Sequence, residues 1–190
     1  MESRTLDNLV LENEDFILES NTAINGDVEI RNANLIVSGN LTIDGELNIE
    51  NGSIIVSGIF KIMNNHDISI TGGDISCGSL DCYDINISDG DIWTNGNLDT
   101  ANITSDGNIE VRGDSAAGDI TCLNYFIDGY NDSGDIKTNQ DIYILGDNDS
   151  YDLTAREILI GGDCSADYHI ITAQHFVCPG ELSCKGLFIE

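Results

Sequence analysis

Residues 35–43 read LIVSGNLTI, and residues 54–62 read IIVSGIFKI, the same segment 19 positions later. The smaller unit inside it is an apolar residue, any residue, then an apolar or small one. Such triplets begin at Leu9, Phe16, Thr22, Val28, Leu35, Leu41, Leu47, Ile54 and Phe60, and they recur at short steps as far as Leu182 and Leu187. Alternation with a period of two means short strands with one side buried. Between the triplets stands glycine, a polar residue and the next aliphatic, as at Gly39, Gly45, Gly73, Gly90, Gly96, Gly107, Gly118 and Gly134. Each glycine would cost a helix about 1 kcal/mol. With 20 glycines in 190 residues, an α-rich fold is excluded.

Grouped in threes, the triplets predict first-face strands starting at Thr22, Leu41, Phe60, Leu80, Leu98, Ile120, Ile136, Leu153, Ile171 and Leu187. The spacing averages ~18 residues, which fits three short strands per coil. We therefore expect an all-β fold, a single-stranded parallel β-helix or triangular β-solenoid of about nine coils. It forms one domain, 1–190, with 1–21 as an N-terminal edge or cap segment leading into the first coil. A β-sandwich needs longer strands, with turns every ~8–12 residues. Cys77, Cys82, Cys122, Cys164, Cys178 and Cys184 all fall at inward positions. No C-x2-C pair occurs, so they read as small buried hydrophobes rather than metal ligands.

Seven Lys and Arg stand against 34 Asp and Glu, a formal charge of -27. Such a chain does not neutralise phosphates, so nucleic acid and anionic membrane surfaces are excluded as partners. No run approaches the ~18 apolar residues of a membrane span. The start, MESRTLDNLVLENEDF, has no basic segment before an apolar core, so a secretory leader is not expected. Reduced thiols in the cytoplasm follow as the expected setting.

The stretch VSGNLTIDGELNIENGSIIVSG, residues 37–58, resembles the repeats of bactofilins, bacterial polymer-forming proteins. That resemblance implies a right-handed triangular β-helix and filament formation. The chain departs from the family in lacking Pro-rich or basic tails and in its acidity. Hexapeptide-repeat acyltransferases are similar in coil length, but their small residue precedes the aliphatic one. Here it follows, as in Leu80-x-Cys82, Leu98-x-Thr100 and Leu153-x-Ala155.

Candidate chemistry is sparse. His66, His169 and His175 have no evident nucleophile partner. Asp81 and Asp99 are expected on neighbouring rungs of one face, at a spacing that stacked glycosidase carboxylates share. Residues 129–135, GYNDSGD, match 146–152, GDNDSYD, 17 positions on. They are expected as two stacked corner loops, bringing Asp132 to Asp149 and Asp135 to Asp152 as a calcium site, the one cofactor the chain suggests.

Outward positions suggest contact surfaces. On the second face they run Glu29, Asn48, Ser69, Asn86 and Thr104, then change to Phe126, Tyr143, Leu159 and Val177. On the third they begin Ile17, Ile36 and Ile55, followed by Ser76 and Trp93. Leu187 and Ile189 sit in a final strand with an open edge. The expected function is a non-enzymatic structural scaffold that self-associates as a homo-oligomer, or with another protein, through its ends and an apolar stripe. The alternatives are a carbohydrate-active or carbohydrate-binding β-helix and a hexapeptide-type acyltransferase.

Overall fold

The computed structural model describes residues 4–189. They form 26 strands and no helix, joined in one continuous parallel sheet that winds into a three-faced solenoid. Each strand pairs with the strand one coil before it and one coil after it. On the first face the register runs Arg4, Thr22, Leu41, Phe60, Leu80, Leu98, Ser115, Asn131, Asn148, Cys164 and Leu182. On the second it runs Leu9, Val28, Leu47, Ile68, Ile85, Ile103, Ile120, Ile136, Leu153, Ile170 and Leu187. On the third it runs Phe16, Leu35, Ile54, Ile75, Ile92, Ile109, Tyr125, Ile142, Ile158 and Phe176.

The solenoid thus has about 11 turns rather than nine. The expected assignment of strands to faces fails at one strand, Ser115–Ala117, whose Ser-Ala-Ala carries no aliphatic signal. Omitting it moves every later strand by one face. Ile120, Ile136 and Leu153, expected on the first face, lie on the second, together with the outward Thr121, Lys137 and Thr154. A second slip is local: Ile170, not Ile171, points inward, and Thr172 is buried rather than outward. The N-terminal segment forms the edge coil. Arg4–Leu6, Leu9–Glu12 and Phe16–Leu18 make a full coil paired to the next. Met1 to Ser3 lie outside the described residues.

The core is a set of like-on-like stacks, one per inward position. Buried Ile, Leu and Val dominate the second and third faces along the whole rod. The first face changes character. Its inward residues are mostly aliphatic or aromatic to Leu98, Thr22 and Cys82 apart, then become Ser115, Asn131, Ser133, Asn148 and Ser150, all buried. Buried polar groups need partners, and these supply one another. The Tyr125 hydroxyl bonds Ser115 Oγ at 2.7 Å and Asn131 Oδ1 at 3.0 Å. Asn131 Nδ2 donates to Asn148 Oδ1 at 2.8 Å, and Asn148 Nδ2 to Ser150 Oγ at 2.9 Å. The ring of Tyr125, fully buried on the third face, fills the volume that the small first-face residues leave.

Close stacking sets the corners. Between the third and first faces, glycine recurs in nine consecutive coils, from Gly39 to Gly180, with Gly129 and Gly146 adjacent in that column. A Cβ on Gly146 would lie 2.4 Å from the Gly129 carbonyl oxygen, nearer than any side chain sits. Where the corner needs a left-handed backbone, asparagine serves. Asn13, Asn32 and Asn51 have φ of 59°, 51° and 53° and are linked by side-chain hydrogen bonds of 3.2 and 3.3 Å.

Candidate interaction face

The most distinctive surface is the outward column of the third face. The register places Ile17, Ile36, Ile55, Ser76, Trp93, Glu110, Phe126, Tyr143, Leu159 and Val177 on it in order. The two apolar runs expected on different faces therefore share one column, with Ser76, Trp93 and Glu110 between them. Phe126, Tyr143, Leu159 and Val177 do point outward, but from the third face, below Trp93 and Glu110. The second face stays mostly polar through Thr104, Thr121, Lys137 and Thr154 before Ile171 and Phe188. Along the column Ile17, Ile55 and Val177 are 59%, 42% and 48% exposed, and Ile36, Trp93, Phe126, Tyr143 and Leu159 are half-buried. Neighbouring rungs at ~4.8 Å merge such side chains into one patch. Its one acid, Glu110, pairs with Arg112, which also reaches Asp128 at 3.4 Å and lies 5.8 Å from the Phe126 ring centre.

The acidity has a different role. In many corners, the residue before a strand accepts the backbone N–H of its counterpart one coil on. Asp119 Oδ1 accepts from Asp135 at 3.0 Å, Asp147 from Asp163 at 2.8 Å, and Asp163 from Glu181 at 2.8 Å. Asn21, Asn40, Asn97 and Asn102 act identically in other coils. Many carboxylates therefore close backbone hydrogen bonds that tight corners leave open. The sequence reading missed this ladder, although Asp or Asn directly before an aliphatic triplet is its visible signal.

The expected calcium residues fall into this scheme. Asp132 and Asp149 are stacked neighbours, but on the strands Asn131–Ser133 and Asn148–Ser150, not in corner loops. The loop reading failed because Asn-Asp-Ser carries no apolar triplet, although its Asn and Ser point into the core. Asp135 and Asp152 belong to a separate corner ladder, where Asp152 Oδ1 accepts the His169 N–H at 2.7 Å. Among the described residues, no three His, Cys, Asp or Glu side chains converge as a metal site requires.

The remaining candidates lie apart. Asp81 and Asp99 stack on the first face as expected, and Lys61 forms an ion pair with Asp81. His169 faces Asp152 at 3.5 Å and His175 faces Glu157 at 3.9 Å, on different corners. All six cysteines point inward and are free thiols. Burial pushes Cys77, Cys122 and Cys164 up to about 12 from an ordinary 9.0, so they are neutral and inert at physiological pH. Shallow grooves run over the second face, one lined by Glu29, Arg31, Asn48, Glu50, Ser69 and Thr71.

The fold defines the protein as a parallel β-solenoid, an all-β repeat protein of uniform cross-section. No protein-family model, curated protein or solved structure matches the chain.

Proposed function

We propose that this solenoid is a non-enzymatic scaffold that works by presenting flat faces to other protein surfaces. The observation that carries the reading is the outward column of the third face, apolar at eight of its ten rungs on a chain of charge -27. Large contiguous apolar patches are rare on monomeric proteins and mark contact surfaces. The use of corner carboxylates as backbone acceptors supports it, because it accounts for much of the acidity without a chemical site. The bactofilin-like repeat points the same way, toward self-assembly.

The edge of the last described coil offers a second contact. Leu182 and Leu187 occupy inward positions there, yet are 43% and 40% exposed. A further rung added to this edge would cover them and pair its open backbone groups. Like charge opposes association at low salt, and screening relieves it.

Light scattering coupled to size exclusion, over a range of salt and protein concentrations, tests the reading. The expected result is a species heavier than 20.5 kDa whose share rises with ionic strength. Leu187→Asp with Ile189→Asp should remove growth beyond the smallest assembly. A strict monomer at every condition defeats the proposal.

The alternative of carbohydrate binding draws on the second-face groove, which crosses three successive rungs along the rod axis. Against it, Arg31 already spans the groove, 3.3 Å from Glu29 and 3.9 Å from Glu50.

A further inference from the structure

From the register of the third face we infer that its occupant is a second copy of this chain, packed face to face with the rod axes antiparallel. This rests on the scaffold reading and specifies its partner. The first argument is size. Ten rungs span nine spacings of ~4.8 Å, and a face about five residues wide with its corners, at ~3.3 Å each, covers roughly 700 Å² per copy. A standard stable interface needs about 800 Å² per partner. The described face is thus about as large as a dimer requires, and a flat sheet is complementary in shape to itself.

The second argument is charge. A basic partner would be recognised through exposed acids, but along this column the one acid, Glu110, is already paired with Arg112. The acids beside the column, such as Asp15, Asp74 and Asp91, hold backbone N–H groups at 2.6–2.9 Å. The central stripe therefore selects an apolar surface.

The third argument is register, and it chooses the orientation. The polar residues Ser76 and Glu110 occupy the fourth and sixth of the ten rungs. Parallel packing in register sets Glu110 against Glu110 and Ser76 against Ser76, placing like charges opposite each other in a desolvated seam. Antiparallel packing about a two-fold axis between the fifth and sixth rungs sets Trp93 against Glu110, Ser76 against Phe126 and Ile36 against Leu159. An indole N–H donor then meets a carboxylate, and no polar rung meets another.

The test uses the full chain with p-benzoylphenylalanine in place of Ile36, irradiated at high ionic strength and mapped by mass spectrometry. The expected adduct joins it to residues around Leu159 of a second chain. Leu159→Lys with Val177→Lys should give a monomer whose melting temperature stays within about 2 °C of the parent, because both side chains point outward. A dimer that cross-links Ile36 to Ile36, to another face or to an end overturns the antiparallel pairing and leaves the scaffold reading standing. A monomer at all salt concentrations overturns both. If the double variant unfolds, the cross-link alone decides between these outcomes.

Discussion

At the scale of single residues, the core obeys hydrogen-bond satisfaction with two exceptions. Among the described residues, the hydroxyls of Thr100 and Thr138 are buried and have no partner. Each forfeits solvation that its neighbours do not replace. Thr100→Val and Thr138→Val keep the volume and remove the orphan group, so each should stabilise the fold by about 1 kcal/mol, read as a rise in the urea midpoint. The opposite holds at Thr172, whose hydroxyl donates to the Arg156 carbonyl at 2.6 Å. There a valine should destabilise by a similar ~1 kcal/mol. Equal effects at all three positions would mean that hydrogen bonding does not govern this core.

At the scale of the element, each strand is held by its register and by the corner residue before it. Aspartate and asparagine exchange freely in that position: Asn102 accepts from Asp119, and Asp119 accepts in turn from Asp135. The acceptor oxygen is what the corner needs; the charge is incidental to it. Replacing Asp114, Asp119, Asp147 and Asp163 together by Asn should therefore preserve the β circular-dichroism spectrum. It should also raise the melting temperature at low salt, by relieving repulsion between stacked carboxylates. The gain should shrink as salt is added. Alanine at the same four positions removes the acceptor and should destabilise by about 1 kcal/mol per site. If Asn and Ala behaved alike, the ladder would have no structural weight.

The whole molecule is a rod with one continuous filled interior, so its thiols report on integrity. Cys77, Cys82, Cys122 and Cys164 are buried along its length, whereas Cys178 and Cys184 lie near the C-terminal edge and are half-buried. A small thiol reagent near pH 8 should modify Cys178 and Cys184 in the native protein and all six in urea. The buried thiols also set an alkaline limit. Their folded values are raised, by burial, above the ordinary 9.0, so the neutral form favours folding at any pH below about 9. Above that the unfolded chain ionises first, and stability should fall progressively between about 9 and about 12, as urea titrations at stepped pH would register. A flat profile to pH 11 would show that these thiols are not sealed in.

The period-two triplets and corner glycines determined the solenoid by themselves, because every coil repeats one local rule: inward aliphatic, outward polar, glycine where backbones stack. They also placed the cysteines inward and the apolar runs outward. The tertiary structure alone decided which face each strand joined from Ser115 onward. Ser115–Ala117, Asn131–Ser133 and Asn148–Ser150 carry no hydrophobic alternation, and their inward side chains are satisfied by contacts across coils, with Tyr125 as the link. Such contacts lie 6 to 17 residues apart in the chain and leave no local mark. The same missing signal split one apolar face into two in the sequence. Only pairing each strand with its neighbour, coil by coil, joined Trp93 through Glu110 to Phe126, because backbone hydrogen bonding fixes register irrespective of side-chain chemistry.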